Sequence, residues 1–287
     1  MRLEIVETQR YAVPSRRATR QRWFGRSVAA FTRYAASVDY GDEALRALME
    51  PHLRKMRAAR PTTDSSMTAR ILRYDADRYK LAEALRNALS VGSLEACACA
   101  DAHKKRALLA PLLDVTTRRP FQRAYDAWVC GCIIPALAGD ATRVRYQRFP
   151  CVRAQCPGDM TLGPHCDAAY GHAPSTVIVS CLLTPAYGTN ALIYESKPGR
   201  EDWTAFEGSE GAALAFPGGL AAHFTSENTT GRTRWSIDAR VLVDDATSAY
   251  DAGSYFAVAE RVGGAWRRVG DEADAVDPRV GIPFDRK

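Results

Sequence analysis

Near residue 140 the apolar residues of this chain change period, and that change restricts it to folds that join a helical segment to a sheet. Before it, Ser27–Val38, Asp42–Ala59, Ala76–Ser90 and Phe121–Leu137 carry apolar residues at helical spacing. Gly41-Asp42-Glu43 is a plausible helix start, and Ser93-Leu94-Glu95 and Pro111 interrupt the pattern. After it, short runs rich in Val, Ile, Tyr and Phe alternate with Gly, Pro, Asn and Asp. These runs are Arg143–Phe149, Thr176–Leu183, Ala191–Tyr194, Ala212–Phe216 and Arg234–Val243. Many short strands between turn signals predict an antiparallel sandwich or jelly roll. Tyr255–Val269 reads as a hairpin around Gly263-Gly264. The expectation is an α+β chain in one integrated unit: a mainly helical scaffold over 1–140, packed on a β core over 141–287 that ends in a hairpin.

The 287 residues suffice to bury a full core. No run approaches the roughly 18 apolar residues of a membrane span. The start, Met1-Arg2-Leu3-Glu4-Ile5-Val6-Glu7, lacks the apolar stretch of an export signal, so a cytoplasmic location is expected. The eight cysteines include two Cys-x-Cys pairs (Cys97 and Cys99; Cys130 and Cys132), neither with zinc-site spacing. They are read as small, mostly buried thiols. Net charge is +6, and residues 1–73 hold 15 Lys/Arg against 7 Asp/Glu. Trp23 and Phe24 are the aromatics in the basic run from Arg16 to Arg26, too few to argue nucleic-acid binding.

The chemistry concentrates in three stretches: Pro164-His165-Cys166-Asp167, Ala222-His223-Phe224 and Gly231–Ser236. On extended backbone, residues two apart point the same way, so His165 and Asp167 converge. His223, from a distant strand, supplies a third ligand. Two imidazoles and one carboxylate on one face of a metal leave three positions open, the facial triad of non-haem iron(II) oxygenases. A chelating co-substrate takes two of these and dioxygen the third. Arg234, eleven residues beyond His223, has the fork to grip the far carboxylate of 2-oxoglutarate, with Ser236 as a further donor on the same strand face. Arg232 shares that face; the Arg-x-Ser pairing favours Arg234.

The order His-x-Asp, distal His, Arg-x-Ser resembles the Fe(II)/2-oxoglutarate-dependent dioxygenase superfamily, which has a double-stranded β-helix fold. More narrowly, several stretches look like the oxygenase family named for a streptomycin-biosynthesis protein. They are Tyr146–Pro150, Gln155–Gly158, Tyr170-Gly171-His172, Gly188-Thr189-Asn190 with Glu195-Ser196, and Asn228–Gly231 leading into Arg234-x-Ser236-x-Asp238-x-Arg240. The resemblance covers about 143–243. It implies iron ligands His165, Asp167 and His223, a 2-oxoglutarate clamp at Arg234 and Ser236, and Thr184 and Asn190 near the co-substrate. Gln155 and Arg153, on the strand before His165, and His172 are placed toward the substrate. Superfamily positions that elsewhere hold carboxylate-binding Tyr or Lys are Cys156 and Thr184 here. The implied reaction uses iron(II), 2-oxoglutarate and O2, hydroxylates a small polar metabolite and releases succinate and CO2. Halogenating relatives lack the carboxylate that Asp167 provides, so hydroxylation, desaturation or ring chemistry is expected.

Three readings compete with these. The chain could be a non-catalytic jelly-roll protein binding a metal or ligand. It could be an oxygenase acting on protein or nucleic acid, as the basic N-terminal part suggests. His172 could rival the three ligands. His52 and His103 are read as structural, and Asp238 with Arg240 as a structural pair. Oligomeric state is not legible in these motifs.

Overall fold

The computed structural model describes residues 67–98, 102–159, 164–251 and 255–270, together with Ile5–Val6, Glu50, Arg54 and Ala58. Helical expectations over 27–38 and 42–59 therefore lie outside the described residues, apart from 50, 54 and 58, which are helical. Content is mixed helix and antiparallel sheet.

The helices precede most of the strands. Asp75 caps α1 (Ala76–Tyr79), its carboxylate accepting from the Arg78 N–H at 3.0 Å. Lys80, in the left-handed region, breaks the predicted 76–90 helix there, and α2 (Leu81–Ala88) continues from it. Next come α3 (Ala102–Leu109) and a 3₁₀ turn that holds Pro111. Asp114 caps α4 (Val115–Trp128) by accepting from Thr117 N–H at 2.8 Å. A π turn over Val129–Ile133 joins α4 to α5 (Ile134–Leu137). Gly131 allows that turn, because a Cβ there would lie 2.8 Å from the Tyr79 hydroxyl.

Among the described residues twelve strands form two sheets. The large one holds β1 (Ile5–Val6), β2 (Arg70–Arg73), β3 (Arg143–Gln147), β4 (Cys151–Gln155), β5 (Val177–Leu182), β8 (Ala212–Phe216), β10 (Arg234–Leu242), β11 (Phe256–Val262) and β12 (Ala265–Val269). The small one is β7 (Thr204–Phe206), β6 (Leu192–Tyr194) and β9 (His223–Thr225), in that order. β10 is the axis of the large sheet. One edge pairs with β5; the other pairs with β4 over Arg234–Asp238 and with β3 at Val241–Leu242. β11 and β12 form the expected hairpin, turning at Gly263 (φ 58°) and Gly264 (φ 81°), conformations that glycine adopts without steric cost.

Strand alternation assigns the two faces of the large sheet. Val177, Val179 and Cys181 of β5, Ala213 and Ala215 of β8, and Trp235, Ile237, Ala239 and Val241 of β10 pack with the helices. Phe121, Tyr125 and Trp128 of α4 lead that core. Ile178, Leu182, Leu214 and Phe216, on the opposite face, meet Leu192, Tyr194 and Phe206 of the small sheet. The β10 positions on that second face are Arg234, Ser236, Asp238 and Arg240, followed by Leu242, all buried. Four polar residues in a row on a buried face need partners or a ligand, since an unpaired buried charge costs several kcal/mol.

No helix among the described residues is long and apolar enough to cross a membrane. One cysteine expectation is corrected. Cys97, Cys130, Cys132, Cys151, Cys166 and Cys181 are outside disulfides, but Cys156 is disulfide-bonded.

Candidate metal centre

His165 and His223 meet through their backbones. His223 N–H donates to the His165 carbonyl at 2.9 Å and His165 N–H to that of His223 at 3.2 Å, an isolated antiparallel bridge. Directly opposed residues project to one side, and the two rings stand 4.2 Å apart. Cys166 is extended (φ −121°, ψ 153°), so Asp167 returns to the side of His165 while the buried Cys166 thiol points away. One ligand atom from each of His165, Asp167 and His223 lies within 4.8 Å of the others, and all three residues are buried. His172 is not in this group.

The turn Pro217-Gly218-Gly219 supports the arrangement. Its Gly218 and Gly219 carbonyls accept from Asp167 N–H (3.0 Å) and Ala168 N–H (2.9 Å). A Cβ at Gly219 would lie 2.4 Å from the Pro174 carbonyl oxygen, so only glycine fits. Buried Glu195 fixes the residue before His223, accepting from Ala222 N–H at 2.6 Å, and its second oxygen accepts from Glu201 N–H at 3.0 Å. Tyr170 is 61% exposed with its ring edge against His165, centroids 5.3 Å apart, which marks a solvent-facing side of the cluster.

The protonation states suit metal binding. Burial lowers the His223 pKa, favouring the neutral imidazole. His223 Nδ1 sits 3.1 Å from the Ala221 carbonyl; a carbonyl only accepts, so Nδ1 carries the proton and Nε2 keeps its lone pair. Burial pushes the Asp167 carboxyl up, but Arg240, His223 and His165 outweigh it and hold the group well below the usual carboxylate range. Arg240 Nε donates to Asp167 Oδ2 at 2.6 Å. Asp238 instead pairs with Arg153, at 2.9 Å from its Nε. The expected Asp238–Arg240 pair is therefore replaced by two others, Asp238 with Arg153 on the neighbouring strand β4 and Arg240 with Asp167 in the 3₁₀ turn after His165.

At the other end of β10, Arg234 is 2% exposed. Its Nη1 donates to Ser236 Oγ (2.6 Å) and its Nη2 to Gln155 Oε1 (2.8 Å), while among the described residues Nε has no partner. Burial lowers its pKa to about 10. Gln155 is held in turn by donating to the Ser226 carbonyl at 2.7 Å, so it belongs to the Arg234 cluster. The Thr184 hydroxyl is taken up by backbone, accepting from Trp235 N–H at 2.7 Å, and the residue lines a cavity of about 430 Å³ with Leu94, Glu95 and Glu210. Asn190 bridges two loops, accepting from Tyr187 N–H (2.7 Å) and donating to Thr230 Oγ1 (3.2 Å). The His172 ring stacks on Tyr250 at 4.1 Å. Arg240 and Glu195 stand in the motifs quoted above, but the motifs assign neither a part in the metal site. The signal for Arg240 was present as the i, i+2 polar row Arg234-x-Ser236-x-Asp238-x-Arg240.

No family model matches the chain. It is 28% identical over 207 residues to the streptomycin biosynthesis protein StrG of Streptomyces griseus, covering 69% of this chain and 97% of that protein. Among solved structures it is similar to a nickel complex of the non-heme monooxygenase ThoJ (14% identity, TM-score 0.39, 62% of this chain and 79% of that one). It is also similar to an oxidoreductase of the 2OG-Fe(II) oxygenase family from Burkholderia pseudomallei (11%, 0.31, 84% and 100%). A third is an N-substituted L-amino acid dioxygenase in complex with alpha-KG from Burkholderia ambifaria AMMD (10%, 0.32, 77% and 91%). Superpositions at these scores do not define a shared fold. The sequence match does bear on kinship: by its motifs and by this relative, the chain resembles the oxygenase family named for a streptomycin-biosynthesis protein.

Proposed function

We propose that this chain is a non-haem iron(II), 2-oxoglutarate-dependent oxygenase that hydroxylates a small polar metabolite, and that its two sheets form a double-stranded β-helix. The observation that carries the reading is the convergence of His165, Asp167 and His223 within 4.8 Å in a buried setting. Two imidazole nitrogens and one carboxylate oxygen suit iron(II) and leave positions for a chelating ligand. The Arg234 cluster supports the second half. A buried guanidinium with one orphaned N–H, and only neutral groups as hydrogen-bond partners, is a receptor for a carboxylate.

Iron(II), when bound, supplies the activation of O2 coupled to oxidative decarboxylation of 2-oxoglutarate to succinate and CO2. The chain contributes the rest. His165, Asp167 and His223 hold the metal, and the Ala221 carbonyl fixes the His223 tautomer. Arg234 receives the distal carboxylate of the co-substrate; Ser236, whose oxygen accepts from Arg234, keeps its own proton to donate. Gln155 orients the guanidinium. The apolar residues between the sheets exclude water, which strengthens each of these contacts.

The test is succinate formation by purified protein with iron(II), ascorbate and 2-oxoglutarate. Metal-dependent turnover is expected, abolished in His165→Ala and His223→Ala. Turnover that survives loss of His165 would end the assignment.

A further inference from the structure

Asp167 has two carboxylate oxygens, and a metal needs only one. A carboxylate can bind a metal through one oxygen or both, and the second mode would close one of three positions that the co-substrate and O2 require. Among the described residues, Arg240 occupies Oδ2 at 2.6 Å, while Oδ1 lies 3.7 Å from His165 Nε2, on the side where the triad converges.

Arg240 is itself fixed from two strands. Its Nη1 donates to Gln147 Oε1 on β3 (3.0 Å) and lies 3.4 Å from Cys151 Sγ on β4. Gln147 is held by donating to the Phe149 carbonyl (2.8 Å), and its own carbonyl accepts from the Tyr125 hydroxyl of α4 (2.6 Å). Gln147 and Tyr125 are fully buried. A charge-assisted bond in so dry a setting is not readily exchanged for water.

We infer that Arg240 is a positioning residue that clamps Oδ2 of Asp167, so that Asp167 binds metal through Oδ1 alone and the remaining positions stay open. This rests on the proposed metal centre and goes beyond it by assigning the denticity of one ligand to a residue outside the three candidate ligands. The alternative is that Arg240 merely neutralises a buried carboxylate, as structural ion pairs do. Lysine separates the two, because it keeps the charge but offers no planar fork.

The experiment uses the full chain, freed of metal, as wild type, Arg240→Lys, Gln147→Met and His165→Ala. Cobalt(II) is titrated into each, following its visible absorption, which responds to coordination number. Melting of the metal-free proteins is recorded beside it. In Arg240→Lys, cobalt affinity should fall about 10–100-fold, the usual effect of losing a partner that orients a ligand. Its cobalt absorption should differ from wild type, with melting of the metal-free protein close to wild type. About tenfold more 2-oxoglutarate should be needed to perturb the cobalt spectrum. If Arg240→Lys does not fold, Gln147→Met carries the test. It keeps the ion pair and loses its anchor, and should weaken cobalt binding about tenfold. Wild-type affinity and spectrum in a folded Arg240→Lys, or in Gln147→Met where that variant carries the test, overturn the inference and leave the metal centre standing. A lowered melting temperature with unchanged cobalt binding also overturns it, in favour of a counter-ion. Failure of wild type to bind cobalt, or binding that His165→Ala does not disturb, removes the metal centre and the inference with it.

Discussion

Arg234 and Arg240 stand six residues apart on one face of β10, and both are buried. Their surroundings are opposite. Burial lowers the pKa of each, but the Asp167 carboxylate at 2.6 Å outweighs it at Arg240 and holds that guanidinium well above its ordinary value. Arg234 hydrogen-bonds only to a hydroxyl and an amide, and burial prevails, bringing it to about 10. A buried cation with its own anion is part of the framework. A buried cation whose hydrogen-bond partners are neutral keeps an unmet demand for negative charge.

The sharpest way to break this comparison is to remove the anion that Arg240 already has. Asp167→Ala strands a buried guanidinium and should cost about 3–5 kcal/mol in chemical denaturation of the metal-free protein. A loss under about 1 kcal/mol would mean that the pair is not buried in solution. The converse substitution, Arg234→Met, strands no charge, so stability without ligand should be unchanged or higher. Affinity for 2-oxoglutarate in the presence of a divalent metal should fall by about 2–3 kcal/mol, some 30–160-fold, from the loss of charge-assisted bonds. Isothermal titration reads this directly, and equal affinity in the variant would show that another group receives the carboxylate.

A smaller effect is expected at Glu195, whose two oxygens accept from Ala222 and Glu201. Glu195→Gln places an amide donor against one of those N–H groups and should cost about 1–2 kcal/mol by thermal denaturation. No loss would show that these two contacts do not hold the loop in solution. The smallest effect concerns acid. Burial raises the Asp238 pKa, but Arg153 outweighs it and holds the group below its ordinary value. A folded pKa below the unfolded one contributes stability that is present above about pH 3.9 and is lost as pH falls through the folded value. Stability measured from pH 5 to 2 should therefore fall less steeply in Asp238→Asn than in wild type; identical slopes would place the pair in solvent.

Much of the fold was legible because burial on a sheet imposes a period of two. Ala212–Phe216 is β8 as expected, Arg234–Val243 contains β10 (Arg234–Leu242), and Thr176–Leu183 contains β5 (Val177–Leu182). The hairpin at Gly263-Gly264 followed from glycine's access to positive φ. Elements set by long-range pairing were not legible. β2 (Arg70–Arg73) exists through β8, and β7 (Thr204–Phe206) through β6; four-residue and three-residue stretches have too few positions to show a period. In the π turn at Val129–Ile133, Gly131 leaves room for the Tyr79 hydroxyl, a contact across about fifty residues that spacing along the chain does not report. The cysteine reading missed the Cys156 disulfide because spacing along a chain does not report proximity in space.

The sequence by itself determined which residue types face which way: His165 with Asp167, and Arg234 with Ser236, Asp238 and Arg240, through strand geometry alone. Only the tertiary structure decided the partners. It brought His223 onto His165 by a two-residue bridge, gave Asp167 to Arg240 and Asp238 to Arg153, and left Arg234 with neutral groups. Side-chain direction is a local property of φ and ψ, whereas the pairing of charges depends on which strands lie side by side, and that is settled by the packing of the whole core.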